Sequence, residues 1–230
     1  MSGLMRQYKV LDGIKFILFD LEGTIIVNSL NFDKPRAEVK SMFVKKGVPK
    51  NWKFKPFMMK IKKAEEYLIK KRVDRKECEK LVKSALKIWT DYEIFCVQSS
   101  RLVKNAEKTF DSLKSRGVKL AIVSRYGEEA ATLALEKFKL KDYFDYVLTR
   151  NDVKKSKPDP EALIILHGTT AIPYSNMLFV GDHVYDMQIG KTVGVASVGV
   201  LTGVSKKLTL IRAGADLVIN DITELMKILS

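Results

Sequence analysis

Ile14-Lys15-Phe16-Ile17-Leu18-Phe19-Asp20-Leu21-Glu22-Gly23-Thr24 is an apolar run that stops abruptly in two carboxylates, a glycine and a hydroxyl. Aromatic and β-branched residues dominate the run, and it is too short for an ordinary helix, so it reads as one buried strand. Such a strand places Asp20 at its carboxyl end, the edge at which open α/β sheets bind ligands. The same residues also suit a plain strand-to-turn junction, with Asp20 and Gly23 shaping the turn. The rest of the chain decides between the two.

Downstream, strand and helix alternate from Arg101 onward. Leu102–Arg116 reads as a helix closed by Gly117, and Val118–Val123 as a strand ending at Ser124. A helix over Glu128–Lys139, a strand at Tyr146–Leu148 and a helix over Pro160–Gly168 follow. Met177–Val180 is a strand running into Gly181-Asp182, and Tyr185–Val193 a helix ended by Gly194. Strands at Ala196–Val200 and Leu217–Ile219 and a helix over Ile222–Leu229 finish the chain. Strands separated by helices imply parallel βαβ units, hence an α/β fold with a Rossmann-like parallel sheet covered by helices on both faces.

Between Thr24 and Arg101 the strand signal is missing. Asp33–Lys46 reads as a helix stopped by Gly47-Val48-Pro49, and Asn51–Lys71 is rich in aromatic residues, methionine and lysine. Asp74 suits an N-cap with Glu77 as its capping-box partner, opening a helix whose apolar face is Leu81, Val82, Ala85, Leu86 and Trp89. A further short helix is expected over Asp91–Val97. The segment 28–98 is therefore read as a helical domain inserted into a core made of 1–27 and 99–230.

The chain has 230 residues and is 46% hydrophobic, enough for one sizeable core domain carrying a smaller one. Its net charge is +14, and the excess is local: Asn28–Val97 holds 19 Lys or Arg against 9 Asp or Glu. Such a surplus fits an anionic substrate, an acidic partner or nucleic acid, and also the Lys/Glu-rich surfaces of heat-adapted proteins. Cys78 and Cys96 lack a metal-like spacing and read as reduced thiols. With only His167 and His183, a multi-histidine metal site is not expected. No apolar run is long enough to span a membrane, and residues 1–10 lack the continuous apolar stretch of a signal. The expectation is a cytoplasmic protein without a membrane partner, monomeric or homodimeric.

Four strand ends carry chemistry-bearing residues: Asp20 with Glu22, then Ser124, then Lys157 in the loop Lys154-Lys155-Ser156-Lys157-Pro158-Asp159-Pro160, then Asp182 with Asp186. A parallel sheet can gather these at one rim. Converging carboxylates suit a hard cation such as Mg²⁺, a lysine and a hydroxyl suit phosphoryl oxygens, and a carboxylate is a competent nucleophile.

Phe19-Asp20-Leu21-Glu22-Gly23-Thr24, Val123-Ser124, Lys157-Pro158-Asp159-Pro160 and Val180-Gly181-Asp182-His183-Val184-Tyr185-Asp186 with Gly194 resemble, in order, the four motifs of the haloacid dehalogenase superfamily. The likeness is to its phosphatase branch and its phosphoglycolate phosphatases, and the insertion falls where such enzymes carry a helical cap. The resemblance implies a Mg²⁺-dependent phosphatase acting on a small phosphorylated substrate through a phospho-aspartate. Asp20 would be the nucleophile and Glu22 the general acid and then base. Ser124 and Lys157 would hold the phosphoryl group. Asp20, the Glu22 backbone carbonyl, Asp182 and Asp186 would hold the metal, Asp186 directly or through water.

Two residues depart from the pattern. Glu22 stands where an aspartate is usual, adding one methylene to the proton donor; a glutamate also occurs there in the enolase-phosphatase branch. Arg125 follows Ser124 where a small or amide residue is commoner; as a substrate-binding residue it would add positive charge beside the phosphate, and taken alone it suits an ordinary exposed arginine. Taken alone, Ser124 suits a helix cap, Lys157 a solvated charge, Asp186 a helix N-terminal charge, and the two histidines a loop neighbour and a dipole-favoured surface residue. A second reading is a catalytically weak protein that uses the basic insertion to bind nucleic acid or an acidic partner, with Trp52–Met59 supplying aromatic residues and charge. Packing of the insertion's own core is the expected role of that stretch, and nucleic acid is not the expected partner.

Overall fold

The computed structural model describes residues 13–29 and 31–229. Among them eight strands follow in chain order: β1 (Phe16–Phe19), β2 (Ile26–Val27), β3 (Arg101–Leu102), β4 (Lys119–Val123), β5 (Tyr146–Leu148), β6 (Met177–Gly181), β7 (Ala196–Val200) and β8 (Leu217–Ile219). Six form one parallel sheet in the order β5-β4-β1-β6-β7-β8. The chain enters at β1, winds outward through β4 and β5, then returns to the other side of β1 and winds outward through β6, β7 and β8. That doubly wound order opens a crevice at the carboxyl ends of β1 and β6, where the winding reverses.

β1 is the axis of the core because all four of its side chains are fully buried. Each large apolar side chain so buried stabilises the fold by about 1.5–3 kcal/mol. Phe16 and Leu18 face Leu163 and Leu166 of the helix Glu161–Thr170 and Ile189 of the helix Val184–Val193. On the opposite face Phe19 meets Phe110 of the helix Ala106–Ser115 edge to face, with ring centroids 5.6 Å apart. Both faces of the sheet are thus covered, as the uninterrupted apolar run of β1 requires.

The chain divides into two compact units, one formed by residues up to Asn28 together with Val97 onward, the other by Ser29–Cys96. In the second unit Phe57 stacks on Trp89 with centroids 3.6 Å apart, and Val39, Phe43, Phe54, Ile61 and Leu68 complete an apolar core. Phe54 and Phe57 are buried there, and Trp52 packs on Tyr67 at 5.4 Å with Lys60 over its ring, so these aromatic residues serve packing within the unit.

Several boundaries differ from the sequence reading. Arg75–Ser99 is one continuous helix rather than two, because no Gly or Pro interrupts it. Asp91, expected to open a new helix, instead accepts from Lys87 one turn earlier at 2.9 Å. The Asp74 carboxylate does accept the Glu77 amide at 3.1 Å, but the Glu77 carboxylate pairs with Lys46 instead of closing the capping box. The helix expected from Leu102 starts at Ala106, because Arg101–Leu102 pair antiparallel with Ile26–Val27 and the Val103 amide donates to Ile25. A helix over Lys207–Ala213 was not expected, and the last helix is a 3₁₀ turn at Ile222–Glu224 followed by Leu225–Ile228. His167 is half-buried, with Nδ1 2.8 Å from the Ile172 carbonyl and its ring on Tyr174, rather than a free surface residue.

Neither Cys78 nor Cys96 is in a disulfide, and both are buried. No helix among the described residues is long and apolar enough to cross a membrane. The stretch 1–10, read as lacking a signal, lies outside the described residues.

Candidate active site

The register of the sheet brings the singled-out strand ends to one edge. Phe19 is level with Ile122 on one side and Val180 on the other, so Asp20, Ser124 and Asp182 all emerge at the carboxyl edge of neighbouring strands. Asp20 is tied down by its amide, which donates to the Val180 carbonyl at 2.8 Å. The chain then turns sharply. The Leu21 carbonyl accepts from Ile25 and Ile26, both at 3.0 Å, and Gly23 donates to Ile26 at 2.7 Å. Gly23 takes a φ of +80°, a conformation that strains any residue with a Cβ, and a Cβ there would lie 2.6 Å from the Asp182 carboxyl carbon.

Lys157 is the hub. Its Nζ donates to Asp20 Oδ1 and to Asp186 Oδ1, each at 2.7 Å, and its side chain is 2% exposed. The loop carrying it is fixed from behind: Glu161 accepts the amides of Lys154 at 3.1 Å and Lys155 at 2.8 Å. Burial pulls the Lys157 ammonium down, but Asp186 and Asp20 outweigh it and hold it above the ordinary lysine value.

Asp186 serves two ends. Its Oδ1 meets Lys157, while Oδ2 accepts the His183 amide at 2.9 Å as part of the capping box that starts the helix Val184–Val193. His183 Nδ1 accepts the Tyr185 amide at 3.1 Å, which makes this histidine a cap. One carboxylate thus both caps the helix and faces the Lys157 ammonium.

Asp182 is held from the loop after β7. The Val204 amide donates to Asp182 Oδ2 at 2.7 Å, and the Thr202 hydroxyl donates to the Gly23 carbonyl at 2.6 Å. Between them Gly203 leaves no room for a side chain, since a Cβ there would lie 1.9 Å from Asp182 Oδ2.

Carboxylate oxygens of Asp20, Asp182 and Asp186 lie within 4.8 Å of one another, all three residues buried. Burial, then the negative charges of Asp20 and Asp186, pushes the Asp182 carboxyl up to about 8. Asp186 is raised too, by burial above all, with Lys157 opposing. Three buried carboxylates share one ammonium, a charge deficit that a divalent cation with oxygen ligands would correct, so the donor set fits Mg²⁺.

Glu22 stands apart from that cluster. Its Oε1 accepts from Asn28 Nδ2 at 3.3 Å, and Asn28 also reaches Ser100 at 3.2 Å. Burial raises the Glu22 carboxyl; the Tyr126 phenol, Asn28 and Arg125 oppose the rise, and Asp20 adds to it. Ser124 is buried, and its Oγ accepts the Tyr126 amide at 3.0 Å, which leaves the hydroxyl hydrogen free to donate. Arg125 is exposed, its guanidinium 5.4 Å from the centre of the Tyr185 ring.

All seven residues singled out in the sequence thus lie at the carboxyl edge of the sheet or on the turns that leave it. Asp20, Lys157, Asp182 and Asp186 converge, with Ser124, Arg125 and Glu22 on the turns after β4 and β1. Asn28, Tyr126, Thr202 and Val204 were not foreseen. Asn28 and Tyr126 act through folding of the strand ends, and Val204 through its backbone amide, so side-chain chemistry in the sequence gives no sign of them.

A family model described as haloacid dehalogenase-like hydrolase matches residues 17–200. The chain is 24% identical over 220 residues to a phosphoglycolate phosphatase of Pseudomonas savastanoi pv. phaseolicola, covering 92% of this chain and 78% of that protein. It is 30% identical over 121 residues to the pyrophosphatase PpaX of Bacillus velezensis, 53% of this chain and 56% of that one. For a further phosphoglycolate phosphatase, of Pseudomonas fluorescens, the match spans 43% of the relative's length. The crystal structure of a predicted phosphoglycolate phosphatase from Haemophilus somnus superposes with a TM-score of 0.67 at 22% identity, covering 96% of this chain and 100% of that one.

Proposed function

The chain belongs to the haloacid dehalogenase-like hydrolases, and from that premise we propose a Mg²⁺-dependent phosphatase that works through a phospho-aspartate at Asp20. The observation that carries the reading is Lys157, buried and bonded at 2.7 Å to both Asp20 and Asp186 beside Asp182. A cation so placed neutralises a phosphoryl group delivered to Asp20, and it aligns the carboxylate for attack.

The steps follow from the residues. Asp20 attacks phosphorus as Ser124 and Lys157 bind the phosphoryl oxygens. The bond to the leaving oxygen breaks, and that oxygen takes the proton held on Glu22, whose carboxyl is raised by burial and so suited to be a donor. Glu22, now ionised, takes a proton from water, and the resulting hydroxide cleaves the phospho-aspartate to release phosphate and regenerate Asp20. Asp20, Asp182, the Glu22 carbonyl and Asp186, directly or through water, would hold Mg²⁺, which when bound would supply the positive charge that lets an anionic nucleophile approach a phosphate dianion. The helical unit Ser29–Cys96 is assigned as the cap.

The names these relatives carry, phosphoglycolate phosphatase and pyrophosphatase, share one substrate type, a phosphoryl group joined to a second anion. A small molecule of that type is the proposed substrate. The test is turnover of p-nitrophenyl phosphate and of a broad panel of phosphate monoesters with Mg²⁺. Activity should disappear in Asp20→Asn and on chelation by EDTA; silence of the wild type across the panel would overturn the proposal.

A further inference from the structure

We infer that the outer face of the helix Glu161–Thr170, with the turn that follows it, docks a second copy of this chain. From Ala162 to Gly181 twenty consecutive residues include no Asp, Glu, Lys or Arg, in a chain that is 30% charged. Burial of the strand Met177–Gly181 accounts for the last of them. It does not account for the part that faces out.

The helix is apolar on both sides. Ala162, Leu163 and Leu166 are buried in one cluster with Phe16 and Phe179. Ile164 and Ile165 are 52% and 37% exposed. A helix without a polar face is ordinarily a covered one. Its polar side chains are turned in on the helix itself: the Thr169 hydroxyl donates to the Ile165 carbonyl at 2.9 Å, and the Thr170 hydroxyl to Leu166 at 2.7 Å. His167, the one side chain here able to charge near neutral pH, is engaged with the Ile172 carbonyl at 2.8 Å and with the Tyr174 ring. Ala171, Pro173 and Ser175, exposed on the turn that follows, add no charge.

Gly168 adds a shape. It is exposed, and a Cβ at this position would meet nothing within 4 Å. Alanine is the better residue inside a helix, and nothing in this chain crowds it out here, so the gap suits a neighbour approaching from outside. Ile164 and Ile165 lie one turn away on the same side. Across a two-fold axis a patch meets itself, so an isoleucine of each copy can enter the gap over the glycine of the other.

Charge chooses the occupant. An acidic protein, a nucleic acid or an anionic membrane is recognised by lysine and arginine, and this face has neither. Two copies of a +14 chain repel each other, and a two-fold contact through a basic surface sets like charges together. The charge-free face avoids that cost. Leu208 and Ile211, also exposed on a helix, stand among Lys206, Lys207 and Arg212 and do not avoid it.

The test is sedimentation equilibrium of the full chain over about 1–500 µM. The helix has ten residues and is about 15 Å long, so the interface is short and a micromolar dimer is expected. Ile164→Lys should weaken association by about tenfold or more, because it sets lysines together across the axis. Thr169→Lys, at a second exposed position, should do the same and decides the matter if Ile164→Lys does not fold. Leu208→Lys, on the other exposed helix, should leave association unchanged. A wild type that stays monomeric throughout would overturn the inference and give the face to another partner. So would a dimer that keeps its affinity in either folded lysine variant of this face, or one that Leu208→Lys disrupts as strongly.

Discussion

Lys157→Met removes one charge and little else. The methionine retains an aliphatic arm over the Phe179 ring, on which the Lys157 ammonium sits 5.3 Å from the centroid. What is lost are two bonds of 2.7 Å, to Asp20 and Asp186, in a pocket where the lysine side chain is 2% exposed and its partners 8% and 1%. Breaking a buried ion pair by deleting one partner costs about 3–5 kcal/mol, because the other charge stays buried without compensation. For a chain of this size about 1 kcal/mol moves the melting temperature by about 2–4 °C, so metal-free variant at pH 8 should melt about 6–20 °C below wild type. Two companions sharpen the sign. At pH 5 the deficit should shrink, because the Asp182 carboxyl, pushed up to about 8, is protonated there and leaves less negative charge facing the missing ammonium. Saturating Mg²⁺ at pH 8 should restore part of the lost stability by supplying the missing charge. Differential scanning calorimetry at the two pH values, with and without Mg²⁺, reads all of this. A Lys157→Met protein that melts at the wild-type temperature at pH 8 without metal would refute the electrostatic account of the site.

Gly203→Ala should weaken Mg²⁺ binding at least tenfold in a folded protein, since its Cβ would lie 1.9 Å from Asp182 Oδ2 and must displace that carboxylate; titration calorimetry against wild type checks it. Mg²⁺ affinity should rise with pH from 6 to 8 and level off above. A carboxyl raised to about 8 binds a proton below that value, and the metal must then displace it; calorimetry across that range, with proton release counted in two buffers, is the measurement. Glu22→Gln keeps the hydrogen-bonding shape but cannot donate an acidic proton. It should lower kcat on alkyl phosphates by about 10²–10⁴ and lower it less on p-nitrophenyl phosphate, whose leaving group needs little protonation.

The sheet was legible because its strands are buried on both faces: β1, β4 and β6 are near-continuous apolar runs that end in Asp20, Ser124 and Gly181-Asp182, and burial of a parallel strand writes itself into composition. The site followed from the same strand ends. What stayed hidden is held by backbone or by distant pairing. β2 and β3 are two residues each and exist through their mutual pairing across the insertion, which no local signal announces. Asn28 matters through the Glu22 carboxylate and Ser100, the latter 72 residues away in the chain. The helix break expected at Asp91 failed because an acidic residue caps a helix only where the chain is free to begin one, and here it already runs through from Arg75. Asp186 shows the opposite case, since one carboxylate satisfies both the local capping rule and the site, and the sequence alone offers these as rivals.

The central claim is that Asp20 carries the phosphoryl group. Single-turnover reaction with radiolabelled phosphoglycolate and Mg²⁺, quenched in acid and mapped by peptide mass spectrometry, tests it directly. The account predicts hydroxylamine-labile label on the peptide containing Asp20 and none in Asp20→Asn. Turnover with no trapped label, or label on any other residue, would contradict it.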